Sequence, residues 1–188
     1  MDDQRPLSDW LEGYLFDRRI VVLRGALDSA LSTRIATELM TLDATGDEPV
    51  TVQLDSPGGP LTAAFTVIDV IEALGVPVTV QAMGRVEQSA VAVVAAGSRR
   101  IAMPHTQFRF GDPEVSFEAR ASEAASLAAA ERALLERYHA FLARSTGHVE
   151  DEIAEWCRSR RVLDAAEAVR LGVVDEVARG ATRLRRIR

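Results

Sequence analysis

Two stretches carry residue types that could do chemistry. The first is LDSPGG at 54–59, a β-type run that closes on S-P-G-G and feeds the apolar segment PLTAAFTVIDVIEALG. A strand ending at such a turn leaves backbone N–H groups at a helix N-terminus, where they suit an anion or a developing oxyanion. Gly58 and Gly59 let a substrate come close to the main chain. The second is GRVEQSAVAVVAAG at 84–97, a charged and polar knot opening into a smooth alanine-rich helix. A serine hydrolase can carry its nucleophile at such a knot, which makes Ser89 a candidate nucleophile and Glu87 a candidate acid or base. Glu87 with Arg85 also reads as a local ion pair.

Other catalytic routes find little support. The chain has no lysine, so a Ser–Lys dyad is excluded. Its one cysteine, Cys157, permits no internal disulfide and has no evident histidine beside it; it reads as a buried structural thiol. His105, His139 and His148 read as surface or packing residues. No Cys/His cluster suggests zinc, and no cofactor is expected.

The elements that must position these residues alternate. Strands are expected over 18–25, 49–59 (running into its glycine turn), 77–84, 98–104 and 106–113, with helices over 29–46, 60–75 and 89–97 between them. A long helix is expected over 119–144, then a further helix in HVEDEIAEWCRSR, and a helix, glycine stop and short strand over 164–177. Alternation of this kind means an α/β domain with a mainly parallel sheet. The whole chain, 1–188, is expected to form one domain, with a short flexible segment at 1–14, a handle region at about 112–146 and a basic tail at 178–188. A net charge of −6 argues against a general nucleic-acid binder. No apolar run reaches the roughly 18–20 residues that span a bilayer, and the polar start MDDQRPLSDW is unlike a signal peptide, so a cytoplasmic location is expected.

Four blocks together resemble the proteolytic subunit of the Clp protease, the ClpP family. They are DSPGGPLTAAFTVIDVI, MGRVEQSAVAVVAAGSRRIAMPHT, ARSTG and LDAAEAVRLGVVDEV, and they fall on the family pattern without gaps from about residue 50 to 177. The resemblance implies a ClpP/crotonase-like fold with a protruding handle helix. It also implies a Ser-His-Asp triad, and the matching positions here hold other residues. The nucleophile position is Gln88, with Ser89 one residue late and rotated about 100° along a helix. The histidine position is Gly111, in FGDP, and the aspartate position is Arg160. The family's oxyanion donors fall on the Gly58–Gly59 turn and on Ser89.

The expected function is therefore a non-catalytic, ClpP-like subunit of a Clp-type ATP-dependent protease assembly. It would form a ring, heptameric or double, alone or with an active ClpP paralogue. The alternative is a divergent hydrolase, peptidase or crotonase-type, using Ser89 or Glu87. The family docks its unfoldase in apolar pockets, and the matching positions are Thr51, Gln53, Gln81, Met83, Ile101, Met103 and Ala178. Several of these are polar or small, so unfoldase docking is expected to be poor.

Overall fold

The computed structural model describes residues 7–113 and 124–178. Five strands run parallel in the order β1-β2-β3-β4-β7: β1 (Ile20–Arg24), β2 (Val50–Ser56), β3 (Val78–Glu87), β4 (Arg99–Ala102) and β7 (Glu176–Val177). Two short strands extend the sheet beside the end of β3. There β5 (Gln107–Arg109) runs parallel to β3, and β6 (Val162–Asp164) pairs antiparallel with β5. This is the mixed α/β, mainly parallel architecture expected from the alternation.

Strict alternation in β2 buries Val50, Val52 and Leu54 on one face, level with Val21 and Leu23 of β1 and Val78, Val80 and Ala82 of β3. Apolar stripes of α2 (Ser29–Thr45), α3 (Leu61–Ala73) and α4 (Ser89–Ala95) complete this core. Asp28 starts α2 by accepting the Leu31 N–H at 2.7 Å. Asp164 and Glu167 form a reciprocal capping box at the start of α7 (Ala165–Arg170).

The handle helix is α5 (Ala124–Thr146). From 126 to 133 its residues are exposed except for a half-buried Leu127, whereas Tyr138, Phe141, Leu142 and Ala143 are buried. The helix therefore packs by its C-terminal half, against α4 and α6 (Glu150–Arg158). The preceding segment EVSFEARAS and the tail beyond Ala178 lie outside the described residues.

Three boundaries differ from expectation. Leu7–Phe16 form a helix, α1, in place of a flexible segment, and Phe16 packs against the core to hold it. Strand β3 does not stop at Gly84. It passes through this residue at φ +57°, leaves β4 and pairs its last three residues with β5. Gly84 reads as a terminator in sequence but acts as a bulge that re-aims the strand. Finally, β6 was not expected; its pairing with β5 carries the turn before it, with Arg160, up to the end of β3.

Candidate functional site

The carboxyl end of β3 is the focus of the candidate site. Gln88 follows it as the N-cap of α4 with φ 50° and ψ −122°. That is a left-handed backbone at a residue with a side chain, and such conformations persist only where the surroundings enforce them. The Gln88 N–H donates to Arg109 O at 2.8 Å, and the Gln88 carbonyl accepts from the Tyr138 hydroxyl at 2.9 Å. Gln88, the position expected for the nucleophile, thus stands at a strained strand-to-helix turn with an amide side chain.

The other two triad positions reach the same place. Gln88, Gly111 and Arg160 line one cleft of about 260 Å³. The Gln88 side chain covers Gly111: a Cβ added to the glycine would lie 3.3 Å from Gln88 Cγ. The volume a histidine ring needs is therefore held by glutamine. Arg160 sits in the turn after α6 at φ 51°, and the neighbouring Arg161 carbonyl accepts the Phe110 N–H at 2.8 Å. The cleft also carries Arg109 and Arg158 against Glu87 and Asp112. Amide, hydrogen and guanidinium at the three positions supply neither a nucleophile nor a base.

Ser89 has a different job from the one expected of a nucleophile. It is fully buried. Its hydroxyl accepts the Gly59 N–H at 2.9 Å and donates to the Gly59 carbonyl at 2.8 Å. The Gly58 N–H is also engaged, by Ser56 Oγ at 3.1 Å, and the Gly58 carbonyl accepts from Leu27 N–H at 2.9 Å. The expectation of free oxyanion donors at Gly58 and Gly59 is corrected: serine hydroxyls on either side of the turn have taken both. The turn does demand glycine, since a Cβ at Gly59 would lie 1.9 Å from Leu27 O. Its glycines serve close packing of chain on chain.

The ion pair at Glu87 is corrected as well. Cross-strand register sets Glu87 opposite Arg109, 4.0 Å apart, and Arg85 instead presents its N–H to Asp55. His148 is a packing residue, with Nδ1 2.8 Å from Glu152, Nε2 3.0 Å from the Leu171 carbonyl and its ring edge-on to Trp156. His105 lies in the exposed turn after Met103.

The isolation expected for Cys157 and His139 does not hold. The His139 Nε2 lies 2.8 Å from Asp112 Oδ1, and ligand atoms of Asp112, His139 and Cys157 fall within 4.8 Å of one another. Burial pushes the Cys157 thiol up to about 12, helped by the Asp112 charge and opposed by the Gly111 N–H. Tyr138, wholly buried beside it, is also raised well above the ordinary phenol value, first by burial. No short-range spacing links residues 112, 139 and 157, so only the fold could assemble them.

The seven positions matched to unfoldase docking lie on and just beyond adjacent parallel strands. Gln53, Gln81 and Ile101 stand in one register row. Gln53 donates to Gln81 at 3.3 Å, and Gln81 Nε2 lies 3.4 Å from Met103 Sδ. Thr51 and Met83 are half-buried on the same sheet face.

Known proteins resemble this chain in sequence over nearly its whole length. The family model described as Clp protease matches residues 6–181. The chain belongs to the Clp protease family. It is 28% identical over 184 residues to "ATP-dependent Clp protease proteolytic subunit 2" of Gluconobacter oxydans (strain 621H), covering 96% of this chain and 82% of that one. It is 26% identical to the protein of the same name from Treponema denticola (strain ATCC 35405 / DSM 14222 / CIP 103919 / JCM 8153 / KCTC 15104), covering 92% and 88%. "ATP-dependent Clp protease proteolytic subunit 3" of Rhodococcus jostii (strain RHA1) is 28% identical, with 90% and 85% covered. Identity this low marks a divergent Clp family member. Among the described residues, no helix is long and apolar enough to cross a membrane.

Proposed function

We propose that this Clp family chain is a non-catalytic subunit, a structural or regulatory member of a Clp-type assembly that forms a ring alone or with an active ClpP paralogue. One observation carries the reading. The three positions matched to the triad converge on one cleft, and they hold Gln88, Gly111 and Arg160. The next residue's hydroxyl, that of Ser89, is buried and tied to both the N–H and the carbonyl of Gly59. Among the described residues, the hydrogen of that hydroxyl goes to the Gly59 carbonyl and not to a basic side chain. The strained elbow and the SPGG turn fit a scaffold kept for its packing.

The handle supports the assembly half of the reading. The exposed turns of α5 extend the stripe begun by Leu127 beyond the core, as a surface for another subunit. The row Gln53–Gln81–Met103 is bridged internally by polar contacts, so it offers an unfoldase few apolar anchors. Unfoldase engagement would then fall to a partner subunit in a mixed ring.

The test has two arms. A fluorophosphonate probe and a fluorogenic peptide are applied to the purified chain, and native mass is measured with and without an active ClpP from the same source. No label, no turnover and a large or mixed assembly are expected. Stoichiometric labelling of Ser89 would overturn the non-catalytic reading; a monomer in both mixtures would overturn the assembly reading.

A further inference from the structure

Asp112, His139 and Cys157 stand in the loop after β5, on α5 and on α6. The fold brings their ligand atoms within 4.8 Å of one another, at the margin of the cleft that Gln88 and Arg160 line. We infer that these three residues form a binding site for a zinc-class divalent cation, with its open position toward that cleft.

The donor set points to this class of ion. Thiolate, imidazole and carboxylate together suit zinc and its near neighbours over the hard oxygen-seeking ions. Three protein ligands with a fourth position for water is the arrangement of open zinc centres. A tetrahedral ion with ordinary bond lengths sets its ligand atoms roughly 3.3–3.6 Å apart. The His139–Asp112 pair, at 2.8 Å, has to open by about half an ångström, and the sulfur, within 4.8 Å of the other two ligand atoms, has to close by at most about 1.3 Å. Asp112 can supply that adjustment, because its side chain is 42% exposed while that of His139 is 16% exposed. His139 and Cys157 sit on packed helices and form the fixed part of the site.

Charge is consistent with one ion. The divalent cation, one thiolate and one carboxylate sum to zero, so the loaded centre is formally neutral. On binding, the Cys157 S–H bond breaks, its electron pair goes to the metal and its proton leaves to solvent. Two of the three ligands, Asp112 and Cys157, line the cleft, which sets the inferred fourth position on the cleft side. A nucleophilic Cys-His-Asp role fits less well: the imidazole Nε2 is turned to the carboxylate, and the sulfur is buried with Tyr138 and Gly111 against it.

The test uses cobalt(II) and zinc on the full chain after treatment with a chelator. Cobalt is expected to give a thiolate charge-transfer band and the strong visible bands of a tetrahedral ion, saturating at one equivalent and bleached by zinc. In Cys157→Ser the charge-transfer band should vanish. In His139→Gln and Asp112→Asn zinc affinity should fall by more than about tenfold. His148→Gln, outside the cluster, should leave both unchanged. A wild-type chain with no thiolate band would overturn the site, whatever the variants do. A band of equal affinity in His139→Gln and Asp112→Asn would also overturn it, as thiol binding alone.

Discussion

Ser89→Ala separates a clasp from a nucleophile. Ser89 Oγ makes two hydrogen bonds to one residue, 2.9 Å from the Gly59 N–H and 2.8 Å to the Gly59 carbonyl. Neither group has another partner among the described hydrogen bonds, and the serine is fully buried. Each bond is worth about 1 kcal/mol net, and Gly59 is only half-buried, so water can partly replace the lost partner. The loss should total about 1–3 kcal/mol. For a chain of this size that lowers Tm by roughly 3–10 °C. The measurement is thermal unfolding of wild type and variant at one protein concentration, since assembly shifts Tm by mass action. Fluorophosphonate labelling of the same samples should be absent from both. An unchanged Tm, together with a label present in wild type and lost in Ser89→Ala, would refute the clasp.

Three further perturbations probe the site and its frame. Gly59→Ala should abolish soluble folding or lower Tm more than Ser89→Ala does, because its Cβ would meet Leu27 O at 1.9 Å; a soluble variant with wild-type Tm would contradict that packing. Rebuilding the triad as Gln88→Ser with Gly111→His and Arg160→Asp should yield fluorophosphonate labelling that Gln88→Ser alone lacks, since removing the glutamine frees the space above position 111. Burial raises the Asp175 carboxyl, but hydrogen bonds from the Arg100 side chain and N–H outweigh it and hold the group below its ordinary value. A depressed carboxyl stabilises fully above its unfolded pKa of about 3.9 and loses that stabilisation as pH falls through the folded value. The Tm advantage of wild type over Asp175→Asn should therefore be constant above about pH 5 and shrink below pH 4.

Much of the frame is legible in sequence because its signals are local. Alternating Val50–Val52–Leu54 and the 3.6-residue stripes of α2 and α3 each declare their own element. The convergence of Gln88, Gly111 and Arg160 is legible through family spacing, although short-range pattern does not connect them. Three features escape because their causes are tertiary. Gly84 terminates nothing, since β5 is available to pair with the re-aimed end of β3. Ser89 looks like a displaced nucleophile until the Gly59 peptide is seen beside it. Cys157 looks solitary because its partners come from β5's loop and from α5.

The strained backbone at Gln88 shows what the core itself requires at the end of β3. A left-handed backbone at a residue with a side chain, as at Gln88, costs about 1–2 kcal/mol. Yet the elbow is where β3 passes from β5 into a wholly buried α4. Relaxing it would break the Gln88 N–H bond to Arg109 and the Tyr138 bond to the Gln88 carbonyl. It would also withdraw Ser89 from Gly59 and leave a buried hydroxyl and a peptide without partners. Those losses together exceed the local strain, so the backbone stays fixed by packing alone. Gln88 and Arg160 line the cleft with Gly111, and their side chains make none of the described hydrogen bonds, so the bonds that fix this turn belong to its backbone and to Ser89. On the proposed non-catalytic reading, backbone and side chains are separable here: the core needs the backbone turn at Gln88, while the Gln88 and Arg160 side chains line the cleft.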